Sequence, residues 1–344
     1  MHVYIDEAGV FVVPEKRERY VCCHVALLIP SSQAELVLYE FLRLRDLWGR
    51  TQIELKGSSL DEAQIAAVVE LLLKFDVIVR VVAIDMAEHT EAAVTQFKEA
   101  QAAAVTKNLT LEHKPELVKQ MEELRDRWRA LPNQLFVQSL TAIILVKDAI
   151  QTGTLYYCQR LPQELAEFRW VIDAKDRKIT DFEKLWTTVI LPVLESQSVT
   201  TPLVFSTGAD YSHFRRFFYD EATADPEARQ HVEWLRQLVG PRETFNGVDL
   251  RKLLEEHRAF ANSQNSLGVQ LVDVIGSAFF RALNGTLAQK AWARLGALLV
   301  KEAPATIHFI ALSAAGRPAG VTAVEHPSAE IVRQIEAQAR SMWP

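Results

Sequence analysis

Two short apolar segments each run into an aspartate: Val3-Tyr4-Ile5-Asp6, followed by Glu7, and Trp170-Val171-Ile172-Asp173, followed by Lys175 and Asp176. Read as strands, they bring two carboxylates to one edge of a sheet, an arrangement that attracts a divalent cation. A third acid, Asp273, lies in the apolar helical stretch from Leu267 to Gly276, where an unpaired charge is costly and tends to neutralise. A metal or a set of hydrogen-bond donors would relieve that cost. Hard Mg²⁺ or Mn²⁺ prefers oxygen ligands, takes few protein carboxylates and leaves the rest of its shell to water and phosphate oxygens. Two such ions about 3.5 to 4 Å apart can activate a water and stabilise the leaving oxygen of an in-line displacement. The expectation is therefore metal-dependent chemistry on phosphodiesters. Plainer readings stand beside it: acids next to turns serve solubility, Asp176 competes with Asp173 as the ligand, and Asp273 fits a hydrogen-bonded core aspartate.

The elements that must position these acids follow from hydrophobic periodicity. The segment from Val3 to Asp6 and the apolar run from Tyr20 to Pro30 read as antiparallel strands joined through Ala8-Gly9. Ser31-Ser32-Gln33 reads as the cap of a helix ending near Gly49. A second helix opens at Leu60-Asp61-Glu62 and leads into the β-branched run Val77 to Ile84, the clearest buried strand. From about Glu88 to Glu167 the pattern is helical throughout, which predicts a helical insertion in a single domain spanning 1–344. After the strand to Asp173 come a helix from Asp181 to Leu191 and an expected strand at Pro202 to Ser206, implying a crossover connection. The polar segment from Tyr219 to Gly247 reads as a surface excursion. A helix from Gly268 ends at Asn284-Gly285, and a last strand is expected at Thr306 to Leu312.

Early antiparallel strands with an acid on the first, an interior strand ending in an acid and a late helix carrying another together resemble the ribonuclease H-like fold. Three segments narrow the resemblance: Tyr4-Ile5-Asp6-Glu7-Ala8-Gly9, Glu54-Leu55-Lys56-Gly57-Ser58, and the run from Ser266 through Gly268, Gln270 and Asp273 to Gly276. They look like the family catalogued as Domain of Unknown Function 3800, whose members open with Tyr-x-Asp-Glu-Ser-Gly, close with a Gly-x-Gln-x-Ala-Asp-x-x-x-Gly helix, and are suspected nucleases. Ala8 and Val272 replace the usual serine and alanine and leave every carboxylate in place. The resemblance implies an α/β fold with a mixed sheet flanked by helices, a nucleic acid as substrate, and Asp6, Glu54, Asp173 and Asp273 as catalytic ligands of two Mg²⁺ or Mn²⁺ ions. Glu54 could equally be a surface ion pair, since Glu54-Leu55-Lys56 alternates like any amphipathic strand.

Lys56 and Lys175 each follow a candidate acid by two residues, so they either meet phosphate or pair with the acid. His213-Phe214-Arg215-Arg216-Phe217-Phe218-Tyr219 has the basic and aromatic character of a nucleic-acid rim, and Arg215 and Arg216, with Arg43, Arg45 and Arg50, are its candidates. An amphipathic element packing its phenylalanines inward explains the same residues. Ser58 and Ser266 read as helix caps, and Trp128 lies in a charged stretch that suits a solvated helix face.

The bulk properties exclude several alternatives. Hydrophobic residues make up 49% and charged residues 24% of the 344, the balance of a globular protein able to bury a large core. A net charge of -6 and a pI near 5.9 count against a nonspecific binder of long duplexes, but not against an acidic metal site with a local basic rim. Cys22, Cys23 and Cys158 make no zinc spacing, and none of the nine histidines forms a HExxH pair. Neither a GxxxxGK[ST] loop nor an Asp-x-Asp-x-Thr motif occurs. A start that resembles no signal peptide and apolar runs too short for a bilayer lead to the expectation of a cytoplasmic protein without membrane contact. The competing expectation is a catalytically inactive binding or regulatory protein on the same fold.

Overall fold

The computed structural model describes residues 1–344 except 17–18, 51–53, 108, 111–112, 175–179, 220–246, 303–304, 313–317 and 321–327. Lys175, Asp176 and most of the expected excursion between Tyr219 and Gly247 therefore lie outside the described residues.

Among the described residues, seven strands form one mixed sheet. β1 (His2–Ala8) pairs antiparallel with β2 (Val21–Ile29), and β2 pairs antiparallel with β3 (Ile78–Asp85). β4 (Arg169–Asp173) runs parallel to β1 with Ile5 beside Ile172, and β5 (Arg258–Ala261) runs parallel to β4. β6 (His308–Leu312) lies parallel to β3 and β7 (Pro318–Gly320) closes that edge, giving the order β5-β4-β1-β2-β3-β6-β7. Every residue of β2 and β3 is buried, which is why these strands read as mainly apolar runs, interrupted by His24 in β2 and by Arg80 and Asp85 in β3: both of their faces are covered.

The covers are helical, so the chain is α/β. α1 (Ser31–Leu47) and α2 (Glu62–Leu72) precede β3. α3 (Glu91–Val105), α4 (Pro115–Ala130) and α5 (Asn133–Tyr157) follow it. α6 (Asp181–Leu185) continues through a π-turn into α7 (Leu191–Thr200), and α8 (Leu250–Glu255) leads into β5. α9 (Leu267–Leu283), α10 (Gln289–Trp292) and α11 (Ala329–Glu336) complete the set among the described residues. Strand alternation divides the side chains between two cores. Val3, Ile5, Ala26, Leu28 and Val82 pack with α5 on one face, and Tyr4, Val25, Leu27, Val79 and Val81 pack with α1, α2 and α9 on the other.

Several expectations change. The stretch between β3 and β4 is helical, yet α5 is no appendage: it is the layer that covers β2 and β3, and its 25 residues are mostly buried. It is long and apolar enough to cross a bilayer, but that apolar surface faces the α5-side core. Trp128 belongs to the same core, edge-on to Phe136 at 5.0 Å. Pro202 to Ser206 is not a strand; Gln151 instead clasps Val204 through its amide, accepting from the Val204 N–H at 2.6 Å and donating to its carbonyl at 2.8 Å. The crossover from β4 closes on β5, four residues that the sequence reading missed. Ser31 and Ser32 do not cap α1 through their side chains; Pro30 stands at that position, and the Glu164 carboxylate accepts both serine N–H groups, at 3.1 Å from Ser32.

Candidate functional site

β1, β4 and β5 run parallel, and their carboxyl ends form one corner of the sheet, the place where open α/β sheets bind ligands. Asp6 and Asp173 lie there. The β1–β4 register pairs Ile5 with Ile172, so one step further sets Asp6 beside Asp173. Asp6 shares its strand face with Tyr4, and Asp173 shares its face with Val171, both of which pack on the α9 side. Asp6 is buried and its Oδ1 accepts from the Glu7 N–H at 2.8 Å.

α9 lies along β1 because one close approach, at Gly268, permits it. A Cβ on Gly268 would stand 2.0 Å from the Tyr4 ring, so only glycine lets the helix seat here. Gly276 lies further along the same strand, beside Ala8. Between them Asp273 turns toward the loop that follows residue 53. That loop is no strand, contrary to the alternation of Glu54-Leu55-Lys56. It is laid across α9 by a buried and a partly buried contact: the Leu55 N–H donates to Gln270 Oε1 at 3.2 Å, and the Gly57 N–H donates to Asp273 Oδ2 at 2.8 Å. Gly57 is the second glycine that contact requires, since a Cβ there would meet the Asp273 carbonyl at 2.6 Å and Val274 Cα at 2.7 Å.

The residue that ties the corner together was not singled out in the sequence. Ser263, buried just after β5, donates to Glu54 Oε1, accepts from Lys56 Nζ at 3.2 Å and offers its carbonyl to Gln270 Nε2 at 2.5 Å. Lys56 also pairs directly with Glu54. The polar run Asn262-Ser263-Gln264-Asn265-Ser266 ahead of an apolar helix was the available signal. It reads as capping alone, and Ser266 does cap α9, accepting from the Val269 N–H at 3.3 Å.

The electrostatics show which acids share the corner. Burial pushes the Asp273 carboxyl up, and the charges of Asp173 and Glu54 add to that push, while the Gly57 hydrogen bond and Lys56 oppose it without cancelling it. Burial would raise Glu54 too, but hydrogen bonds from Lys56, Ser263 and Gln264, with the Lys56 charge, hold it below the usual carboxylate range. Burial pulls the Lys56 ammonium down, yet Glu54, Asp273 and Asp173 together hold it above its ordinary value. Two carboxylates are thus pushed in opposite directions around one half-exposed ammonium.

The oxygen donors suit a hard divalent ion. Among the described residues, however, no three His, Cys, Asp or Glu side chains stand close enough to close a coordination shell. Among the described residues, the compensating charge in the corner is that of Lys56. Glu54, Asp173 and Asp273 act on it as separate oxygen donors, with Asp6 set beside Asp173 on the neighbouring strand, and not as a finished metal cage.

The expected rim lies elsewhere. Phe214 and Phe217 are fully buried against Phe168, so this basic and aromatic run packs its rings inward. Arg216 Nη1 donates to the Ala166 carbonyl at 3.1 Å and Nη2 pairs with Glu256 at 2.5 Å. Ala166 precedes β4, which places Arg216 about 13 Å of strand rise from Asp173, and the exposed Arg215 next to it shares that end. Arg45 is buried and Arg43 pairs with Glu40 at 3.0 Å. Only Arg50 reaches the corner loop, donating to Ser59 Oγ at 2.9 Å. His24 and His308 are partnered, by Thr141 and Asp148, each at 2.8 Å.

Comparison of the chain with known protein families, with curated proteins and with solved structures finds no match.

Proposed function

We propose that this corner is the active site of a metal-dependent phosphodiester hydrolase, a nuclease of ribonuclease H-like type related to the Domain of Unknown Function 3800 family. The observation that carries the reading is convergence. Segments holding Asp6, Glu54, Asp173 and Asp273 lie far apart in the chain, yet they meet at the carboxyl end of three parallel strands, where chemistry on α/β sheets is done. The strand order supports that fold type: β1, β2 and β3 are antiparallel neighbours, β4 lies parallel beside β1 and β5 parallel beside β4.

Mg²⁺ or Mn²⁺, as one ion or two, would supply Lewis-acid polarisation of the phosphoryl oxygen and a water acidic enough to attack. The chain's own groups have separable roles. Asp6 and Asp173 present side-by-side carboxylates. Asp273 is aimed by the Gly57 N–H and Glu54 by Ser263. Lys56, half-exposed and paired with Glu54, neutralises phosphate charge when it swings from that carboxylate to the substrate. The substrate is a nucleic acid, drawn by the metal and by Lys56, since the chain as a whole is acidic.

The test is cleavage of single- and double-stranded DNA and RNA with Mn²⁺ by wild type, Asp6→Asn and Asp173→Asn. Loss of cleavage in both folded variants supports the reading, and retained cleavage in both rejects it. One observation favours a second reading, an inactive binding protein: Asp273 already has a backbone donor in the Gly57 N–H. That reading expects no divalent affinity and a loss of stability in Asp273→Asn.

A further inference from the structure

A second divalent ion in the acid corner would have to share it with a cation that the chain itself supplies. Lys56 pairs with Glu54 Oε1. The Ser263 hydroxyl fixes that pair, donating to the same Glu54 oxygen and accepting from Lys56 Nζ at 3.2 Å, so its one donor is committed to the carboxylate. Gln264 adds a further hydrogen bond to Glu54. Gln270 then joins the two segments: it donates to the Ser263 carbonyl at 2.5 Å and accepts from the N–H of Leu55, the residue between the two charges, at 3.2 Å. The ammonium is therefore held over Glu54 by contacts from β5's exit and from α9, two elements remote from it in the chain.

Hard divalent ions ligate carboxylate oxygens at about 2.0 to 2.6 Å, so an ion on Glu54 Oε1 would stand where the ammonium and the hydroxyl already meet that oxygen. It would also face the Lys56 charge with twice the repulsion of two unit charges at the same distance. Asp273 is turned to the chain as well, its Oδ2 accepting from the Gly57 N–H at 2.8 Å, and its charge acts on Lys56 together with that of Asp173. We propose that Lys56 stands in place of the second divalent ion: Glu54 and Ser263 hold this ammonium, the Glu54 side of the corner takes no divalent ion, and any ion the corner binds lies on the Asp6–Asp173 side. The proposal deepens the phosphodiester reading of the corner and rests on it. An ammonium brings positive charge and N–H donors to a phosphate oxygen, the part of a second ion's work that needs no bound water.

The experiment counts the Mn²⁺ ions taken up per full chain, by calorimetric titration of wild type, Lys56→Met, Lys56→Arg and the double variant Lys56→Met with Glu54→Gln. The Lys56 side chain is 51% exposed, so removing its charge leaves the core untouched. Lys56→Met is expected to take up one ion more than wild type, because the freed Glu54 and Asp273 oxygens can then ligate it. Lys56→Arg keeps a cation and is expected to take up no more than wild type, and Glu54→Gln is expected to abolish the gained ion. Two ions in the wild type, no gained ion in Lys56→Met, a gained ion in Lys56→Arg, or one that survives Glu54→Gln each overturns the assignment. The reading beneath it is decided separately by the wild type. One ion there with no gain in Lys56→Met overturns the assignment and leaves the acid-corner reading intact. A gain in Lys56→Met with no ion in the wild type supports the assignment and counts against Asp6 and Asp173 as ligands.

Discussion

Asp273 carries two burdens that substitution can separate. Its Oδ2 satisfies the Gly57 N–H at 2.8 Å, in a place where Gly57 is buried, and its charge is disfavoured by burial and by Asp173 and Glu54. Asp273→Ala removes the acceptor and leaves a buried donor unmet, a loss of about 1 to 3 kcal/mol. Asp273→Asn keeps an oxygen for Gly57 and removes the charge, so at pH 7 without divalent ions it should be as stable as wild type or more so. The gap between the variants is then the cost of the orphaned donor, about 1 to 3 kcal/mol. The pH dependence has a definite sign. A carboxyl whose folded pKa is raised holds its proton more tightly when folded, so its contribution to wild-type stability falls as pH climbs from the ordinary aspartate value of about 3.9 through the raised one. The asparagine variant lacks that contribution. Urea denaturation of all three proteins from pH 4 to 8 with chelator present measures this directly. If Asp273→Asn is destabilised at pH 7 as much as Asp273→Ala, the carboxylate is a structural asset and the reasoning is wrong.

Other predictions follow from single contacts. Gly268→Ala forces a Cβ to within 2.0 Å of Tyr4 and should cost about 1 to 3 kcal/mol. Gly276→Ala, with its nearest neighbours at 3.8 Å, should be neutral or gain up to about 1 kcal/mol from helix propensity; equal effects in denaturation would show that α9 is seated differently. Glu164→Gln should weaken the start of α1 by about 1 kcal/mol. Burial opposes its ionisation, but hydrogen bonds from Ser32 and Ser31 hold the carboxyl below the usual range. That contribution is present above the ordinary glutamate value and disappears as pH falls through the folded one, a slope that should be missing from the variant. Arg216→Ala should leave nucleic-acid and Mn²⁺ affinity unchanged, because Arg216 stands at the far end of β4.

What the sequence made legible was periodic or sterically special. β1, β2, β3 and α9 announce themselves through alternation or helical spacing, and the motif glycines 57 and 268 mark the points where a loop and a helix approach closely. What it hid was partnership. The four residues of β5 have too little pattern to be seen and become a strand only because β4 leaves an edge to pair with. Pro202 to Ser206 has strand composition but, among the described residues, no strand to pair with. Phe214 and Phe217 look like a stacking surface because spacing does not say which way a ring faces; the neighbouring Phe168 settles it. Ser263 was invisible for the same reason, since its role depends on Glu54 and Lys56, two hundred residues earlier in the chain.

The most direct test of the central claim is calorimetric titration of Mn²⁺ into wild type, Asp6→Asn and Asp173→Asn, with and without a non-hydrolysable dinucleotide. Saturable binding in the wild type that is lost in both variants is the predicted result. Wild type that takes up no Mn²⁺ even with the dinucleotide, or variants that bind as well as wild type, would show that these carboxylates do not make a metal site.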